Sequence, residues 1–326
     1  VTDMSDQRLA RPRPGGRGAA QHDSSSLEGR RRALRARRLR RGWVAWALLL
    51  PAAAFYGVFV IQSIVRTVQY SFYDWNGVTA ATWAGFGNYV EIVRDPELGG
   101  SIVNAFELIL FFSVIPVALG LVTAATIRKF ATSRLALVSR TVLFLPQIIP
   151  LVAAGIMWSW LLSTDGLVNQ VLRAVGLGAL ARPWLGDFDT ALPAVGVIGA
   201  WVLFGLCMLL LLAGMSKIDP SLYEAARIDG AGVVREFFSI TVPSVRQEIG
   251  VCVTVTVIAA LASFDIVYIS TQGGPGNSTL VPGLEIYYLA FFEREIGTAS
   301  ALAVALMVLV LAVVLPLQRL TRSGDS

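Results

Sequence analysis

The chain has 326 residues, 55% of them hydrophobic and only 15% charged, with a net charge of +5 and one histidine, His22. A soluble globule carries roughly 25% charged residues, so this composition excludes an ordinary water-soluble enzyme and points to a polytopic membrane protein. Cys207 and Cys252 both sit in apolar stretches, which gives neither a disulfide framework nor a metal site, and a lone histidine in a polar tail leaves little for histidine-based catalysis.

Residues 1–42 read as a polar tail. Val1 to about Glu28 is rich in Gly, Pro, Ser and Arg and cannot bury enough apolar surface to fold, so it is expected to be disordered. Arg30-Arg31-Arg32, Arg35, Arg37-Arg38 and Arg40-Arg41 follow. Such a run could serve a nucleic-acid arm, but a membrane span begins at once. The reading is therefore a cytoplasmic anchor on anionic membrane lipid, with no nucleic-acid partner.

Gly42 to Val65 carries no charge and is long enough to span. The run continues beyond Ala52-Ala53-Ala54, which argues against a cleaved signal peptide. It is read as the first transmembrane helix, with Trp43 and Trp46 near the interface. Residues 43–101 comprise this helix and an outer loop, whose Asn76-Gly77 pair marks a turn. The core, residues 102–320, holds five more apolar segments: Ile102–Ile127, Val138–Leu162, Thr190–Gly214, Ile249–Thr271 and Thr298–Leu320. The expected fold class is all-α and integral to the membrane, with six transmembrane helices and a short tail at 321–326.

One island between these segments, 215–248, is polar. Asp219 suits an N-cap and Pro220 the first helical position. Glu224 lies near the positive end of the helix dipole, and Gly230 can take the left-handed conformation that ends a helix. The helix is about ten residues, roughly 15 Å long, too short to be stable alone in water without a surface to dock on. Ala225 and Ala226 present a low profile to such a partner. Beyond the turn, Val233, Phe237 and Ile240 repeat at i, i+4, i+7, an apolar stripe predicted to face the membrane domain. Pro243 is expected to start the next segment.

The island resembles the EAA loop of binding-protein-dependent ABC importers: E-A-A, three residues, G, nine residues, I-x-L-P. The matching residues are Glu224-Ala225-Ala226, Gly230 and Ile240-Thr241-Val242-Pro243, with Val242 in place of the usual Leu. Ser71-Phe72-Tyr73-Asp74-Trp75 and Gly85-Phe86-Gly87-Asn88-Tyr89 resemble the first outer loop of the carbohydrate-type permeases. Thr271-Gln272-Gly273-Gly274-Pro275 with Thr279-Leu280 resembles that subfamily's T-x-G-G-P…T-x-x-L string. Gln62 departs from it, standing where a proline is usual. The resemblance covers roughly Trp43 to Leu320. It implies an ABC type I importer permease fold in a bacterial cell membrane. It further implies a second homologous permease subunit, two cytoplasmic ABC ATPase subunits that bind ATP and Mg, and an extracytoplasmic solute-binding protein. Glu224, Ala225, Ala226, Asp229, Gly230, Ile240 and Pro243 would form the ATPase-coupling element.

Charge placement gives orientation independently. With both termini cytoplasmic, 22 of the 27 Lys and Arg residues fall inside, and only Arg66, Arg94, Arg173, Arg182 and Arg294 fall outside. The island then faces the cytoplasm.

Thr256, Ala259, Ala260 and Ser263 share one face of the fifth span. They form either a packing surface or the wall of a substrate cavity. In the resembled family, substrate contacts come from this helix and the one before the EAA loop, where Gly199 and Leu203 would share a face. The expected pathway is therefore Gly199, Leu203, Thr256, Ala260 and Ser263. Asp265, nine residues past Thr256, would lie on the opposite face of a continuous helix and is read as a structural pairing residue. Glu107, about a turn and a half into the second span, is read as an interfacial hydrogen-bonding group. No G-x-x-x-x-G-K-[ST] loop is present: Lys129 and Lys217 are followed by Phe130 and Ile218. ATP would have to be bound by another subunit, and the chain itself is expected to hold no cofactor. The alternatives are an ion-driven secondary transporter using Glu107 or Asp265, and a membrane-embedded enzyme, which the lack of paired carboxylates or metal ligands disfavours.

Overall fold

The computed structural model describes residues 48–130 and 133–322. The Arg-rich tail, Trp43 and Trp46 lie outside the described residues, as do residues 323–326 of the expected C-terminal tail. The chain divides after Val65 into two units. The described residues of the first belong to helix α1 (Leu48–Tyr70), a candidate span none of whose residues is buried. Lipid tails are as apolar as leucine, so such a surface needs no protein cover.

The second unit opens with an antiparallel hairpin, β1 (Tyr73–Asp74) and β2 (Thr82–Trp83), and helix α2 (Gly87–Arg94). Asn76 builds the turn: its Oδ1 accepts from the N–H groups of Val78 and Thr79, with Gly77 at φ +84°. Asn88 Nδ2 donates to the carbonyls of Ser71 and Tyr73 at 2.9 and 3.0 Å, and the Tyr89 hydroxyl donates to Ser71 Oγ at 2.7 Å. The two strings that stand apart in sequence thus fold as one unit. These short strands are a small departure from an all-α chain.

Helix α3 (Pro96–Lys129) starts six residues before its apolar run, because Asp95 caps it and Pro96 takes the first position. A π turn, Leu110–Val114, interrupts it. After it come α4 (Arg134–Ile148), α5 (Leu151–Leu161), α6 (Leu167–Ala174), α7 (Ala191–Met215), α8 (Pro220–Ile228) and α9 (Val233–Ser244). Then follow α10 (Arg246–Leu261), α11 (Asp265–Ser270), α12 (Pro282–Tyr288, with a π turn to Glu293) and α13 (Ile296–Arg322). Four helices, α1, α3, α7 and α13, are long and apolar enough to cross a membrane. The number rises to six if the bent pairs α4 with α5 and α9 with α10 each make one span.

Two expected straight spans are therefore broken. The third turns through 98° at Ile149–Pro150. The residue before a proline is pushed out of the helical region, and Ile149 is extended at ψ 127° while Pro150 caps α5. The fifth ends at Leu261, and Ala262 to Phe264 separate it from α11.

Helix α7 is the centre of packing. Its glycines let neighbours approach to backbone contact. A Cβ at Gly205 would stand 2.8 Å from the Leu143 carbonyl oxygen, and one at Gly199 only 2.0 Å from the Phe112 ring. Within the bilayer, close fit of this kind, rather than exclusion of water, holds helices together. Around the lower part of α7 a cluster gathers Val117, Ala124, Ile127, Cys207, Met208, Leu211, Met215, Val245 and Cys252. A second cluster, around Ile198, takes in Phe112, Val267, Val281 and Leu284.

Candidate functional site

Helix α8 stands on the segment leaving α7. The Asp219 carboxylate accepts from the Ser221 N–H at 2.9 Å, and this bond holds its pKa below the usual range. At the other end, Gly230 is at φ +79°. Its N–H donates to the Arg227 carbonyl, and the Ala231 N–H donates to that of Ala226. These two bonds satisfy otherwise orphaned carbonyls, as in a Schellman cap. The helix is nine residues long, as capping predicts, and none of them is buried. Glu224 and Ala225 are exposed, Ala226 is half-buried, and Asp229 closes the helix as its C-cap. Leu222 and Ile228 are open, Ile228 to 86%.

The inner side of α8 is braced at several points. Arg227 Nε pairs with Glu236 Oε1 at 2.9 Å, and the Glu236 side chain is only 6% exposed. That bond raises the Arg227 pKa further. The Tyr223 hydroxyl and Thr241 Oγ1 are 2.9 Å apart. The Arg128 guanidinium lies 4.3 Å from the Tyr223 ring centroid and donates to the Ile218 carbonyl at 3.0 Å. Lys217 and Glu248 pair at 3.1 Å. Between α3, α8 and α9 lies a cavity of about 610 Å³, with Val122, Thr126, Val234, Phe237 and Phe238 among its walls.

Helix α9 corrects the expected stripe. Phe237 and Ile240 are half-buried, but Val233 is 60% exposed. Glu236 holds the inner place instead, because Arg227 reaches across the turn to neutralise it. A π turn, Phe237–Thr241, then shifts the phase and brings Thr241 and Val245 inward. Pro243 is exposed and does not itself start the next helix; the chain turns 72° after it, and α10 begins at Arg246.

Three of the five pathway positions, Gly199, Thr256 and Ala260, are packed closed among the described residues. Gly199 is closed by Phe112. Thr256 and Ala260 have no exposed surface, and Thr256 Oγ1 meets Ser113 Oγ at 2.7 Å. Leu203 is half-buried. Ser263 is buried, and its hydroxyl has no hydrogen-bond partner among the described residues. Asp265 departs from expectation. Because α10 ends at Leu261, counting 100° per residue does not reach it, and it opens α11 exposed and without an ion pair among the described residues. Glu107 is likewise exposed, with no hydrogen-bond partner among the described residues.

Sequence reasoning passed over Tyr223, Thr241 and Glu236. It counted Arg128 only as a cytoplasmic charge. The available signal was Arg227 to Glu236 across a glycine turn, an opposite-charge pair where the chain doubles back.

Apolar helices long enough to cross a membrane, with a capped, exposed helix between two of them, define a multi-pass membrane protein. The chain belongs to the family of binding-protein-dependent transport system inner membrane components, whose model matches residues 116–320. A probable ABC transporter permease protein, YurN of Bacillus subtilis (strain 168), is 34% identical over 86% of this chain and 97% of its own length. The lactose transport system permease protein LacF of Rhizobium radiobacter is 34% identical over 82% of this chain and 91% of its own. Among solved structures, a bacterial ABC transporter involved in the import of the acidic polysaccharide alginate matches with a TM-score of 0.77. It covers 89% of this chain and 99% of the matched chain at 22% identity. The protein is thus a non-catalytic, multi-pass membrane permease subunit whose ATPase is a separate chain, and not an ion-driven secondary transporter.

Proposed function

We propose that this chain forms half of the membrane channel of an ATP-driven importer for a sugar or oligosaccharide. Its other half is a second, homologous permease. Two cytoplasmic ATPases bind ATP and Mg, one of them gripping α8, and an extracytoplasmic binding protein delivers the solute. The observation that carries this is the asymmetry of α8: its strong contacts run inward through Tyr223 and Arg227, while Ala225 and Ile228 are exposed without cover and Glu224 is exposed where it lines the cavity. Small alanines permit close approach, and Glu224 supplies one polar contact at the partner. Asp229 and Gly230 fix where the helix ends, and Ile240 anchors α9 to the core. The carbohydrate class rests on the relative named for lactose together with the outer-loop strings.

For the solute path, Leu203 and Ser263 are the proposed contacts with the most remaining surface or polarity. Gly199, Thr256 and Ala260 would reach solute only after α3 moves away from α7 and α10.

The test is uptake of labelled sugar by cells carrying Glu224→Lys or Gly230→Pro. Insertion is expected to persist, with uptake lost by roughly a hundredfold, a coupling loss of about 3 kcal/mol. Normal uptake in a well-expressed Gly230→Pro variant would rule out the coupling role.

A further inference from the structure

Arg128 and Lys129 close the last turn of α3 side by side, yet they behave differently. Lys129 is exposed, with no ion pair or hydrogen bond among the described residues. That is how a cation behaves when it serves only the helix dipole and the membrane surface. Arg128 is held by defined partners. It is half-buried, its guanidinium covers the Tyr223 ring at 4.3 Å, and one of its nitrogens donates to the Ile218 carbonyl at 3.0 Å. Only a planar, multiply donating cation can make both contacts at once. The contacts continue: the Tyr223 hydroxyl meets Thr241 Oγ1 at 2.9 Å, and Thr241 is buried in α9.

One side chain therefore ties the end of α3 to the segment entering α8, to α8 itself, and through Tyr223 to α9. The far end of this tie is also defined. Helix α3 is continuous over 34 residues, roughly 50 Å. Its π turn carries Phe111 against Gly196, Phe112 against Gly199, and Ser113 against Thr256. The contacts that close two of the expected pathway positions, Gly199 and Thr256, thus belong to the same helix that Arg128 fastens to α8.

We propose that Arg128 is the positioning residue that transmits movement of α8 into α3, so that α3 opens and closes the α7–α10 seam. This rests on the proposed docking of an ATPase on α8. In that scheme, displacement of α8 pulls the Arg128 end of α3 directly, whereas the Arg227–Glu236 pair holds the loop itself together and Lys217–Glu248 ties the exit of α7 to α10 without touching α8.

The test uses the whole importer reconstituted in lipid vesicles: this chain, its partner permease, the ATPases and the binding protein. Uptake and ATP hydrolysis are measured together. A cysteine at Ile228, on the outer face of α8, reports docking by crosslinking to the ATPase. Arg128→Ala is expected to lower uptake by roughly threefold to thirtyfold while hydrolysis and the crosslink persist. Arg128→Lys, which keeps a cation over Tyr223, is expected to recover part of the uptake, and Lys129→Ala none of the defect. Wild-type uptake in Arg128→Ala overturns the proposal. So does a parallel loss of uptake, hydrolysis and crosslink, because Arg128 would then serve docking or folding instead. Absence of the crosslink in the protein with native Arg128 overturns the docking reading, and this proposal with it.

Discussion

Glu285 is buried in α12 with three carboxylates nearby. Burial first, then Glu293, Glu97 and Asp95, push its pKa from the ordinary 4.5 up to about 7. The native state therefore holds this proton more tightly than the unfolded chain does. The stability it contributes is complete below about pH 4.5 and is lost as pH rises through about 7. Glu285→Gln mimics the protonated acid permanently. In detergent it is expected to raise Tm by about 2–4 °C at pH 8 and to leave it unchanged at pH 4. An equal shift at both values would show that the carboxyl's charge is not the cause. Glycine is decisive at one position after α8: Gly230 needs a left-handed φ and has nothing within 4 Å of a would-be Cβ, so its role lies in the backbone and not in packing.

The segment from α8 to α9 combines a helix, a glycine turn and a return helix, and its Arg227–Glu236 pair is lopsided. The Arg227 side chain is 61% exposed and the Glu236 side chain 6%. Removing the exposed partner leaves a buried carboxylate without its cation, while removing the buried one leaves a solvated guanidinium. Arg227→Ala is expected to destabilise the loop by roughly 1–3 kcal/mol, with Glu236→Gln costing clearly less. Hydrogen exchange across Pro220–Ser244 measures both. Equal protection loss in the two variants would mean that the pair is not a buried anchor. The spans follow the same logic of local chemistry. Pro150 caps α5 where the chain turns 98° away from α4.

For the whole molecule, the arrangement predicts sidedness. Val78 is 81% exposed in the hairpin loop and Ile228 86% exposed on α8, whereas both native cysteines are buried. In intact cells, an impermeant thiol reagent is expected to label Val78→Cys at once and Ile228→Cys only after permeabilisation. Reversed labelling would invert the orientation and remove any contact with a cytoplasmic ATPase.

Much of this was legible in the residues. The number and order of apolar segments, the caps of α8 and its glycine stop each follow from chemistry local to a few positions. So does the family, from strings such as Glu224-Ala225-Ala226 and Thr271-Gln272-Gly273-Gly274-Pro275. What periodicity could not give was where a helix stops keeping time. The π turns, the 98° bend and the break after Leu261 reset the angular count, which moved Asp265 from its expected face, while the Arg227–Glu236 pair put Glu236 where Val233 was expected. Contacts between residues far apart in sequence, Arg128 with Tyr223 and Ser113 with Thr256, were equally beyond it. A helix records which side is apolar, but which neighbour meets that side is settled only when the helices pack together.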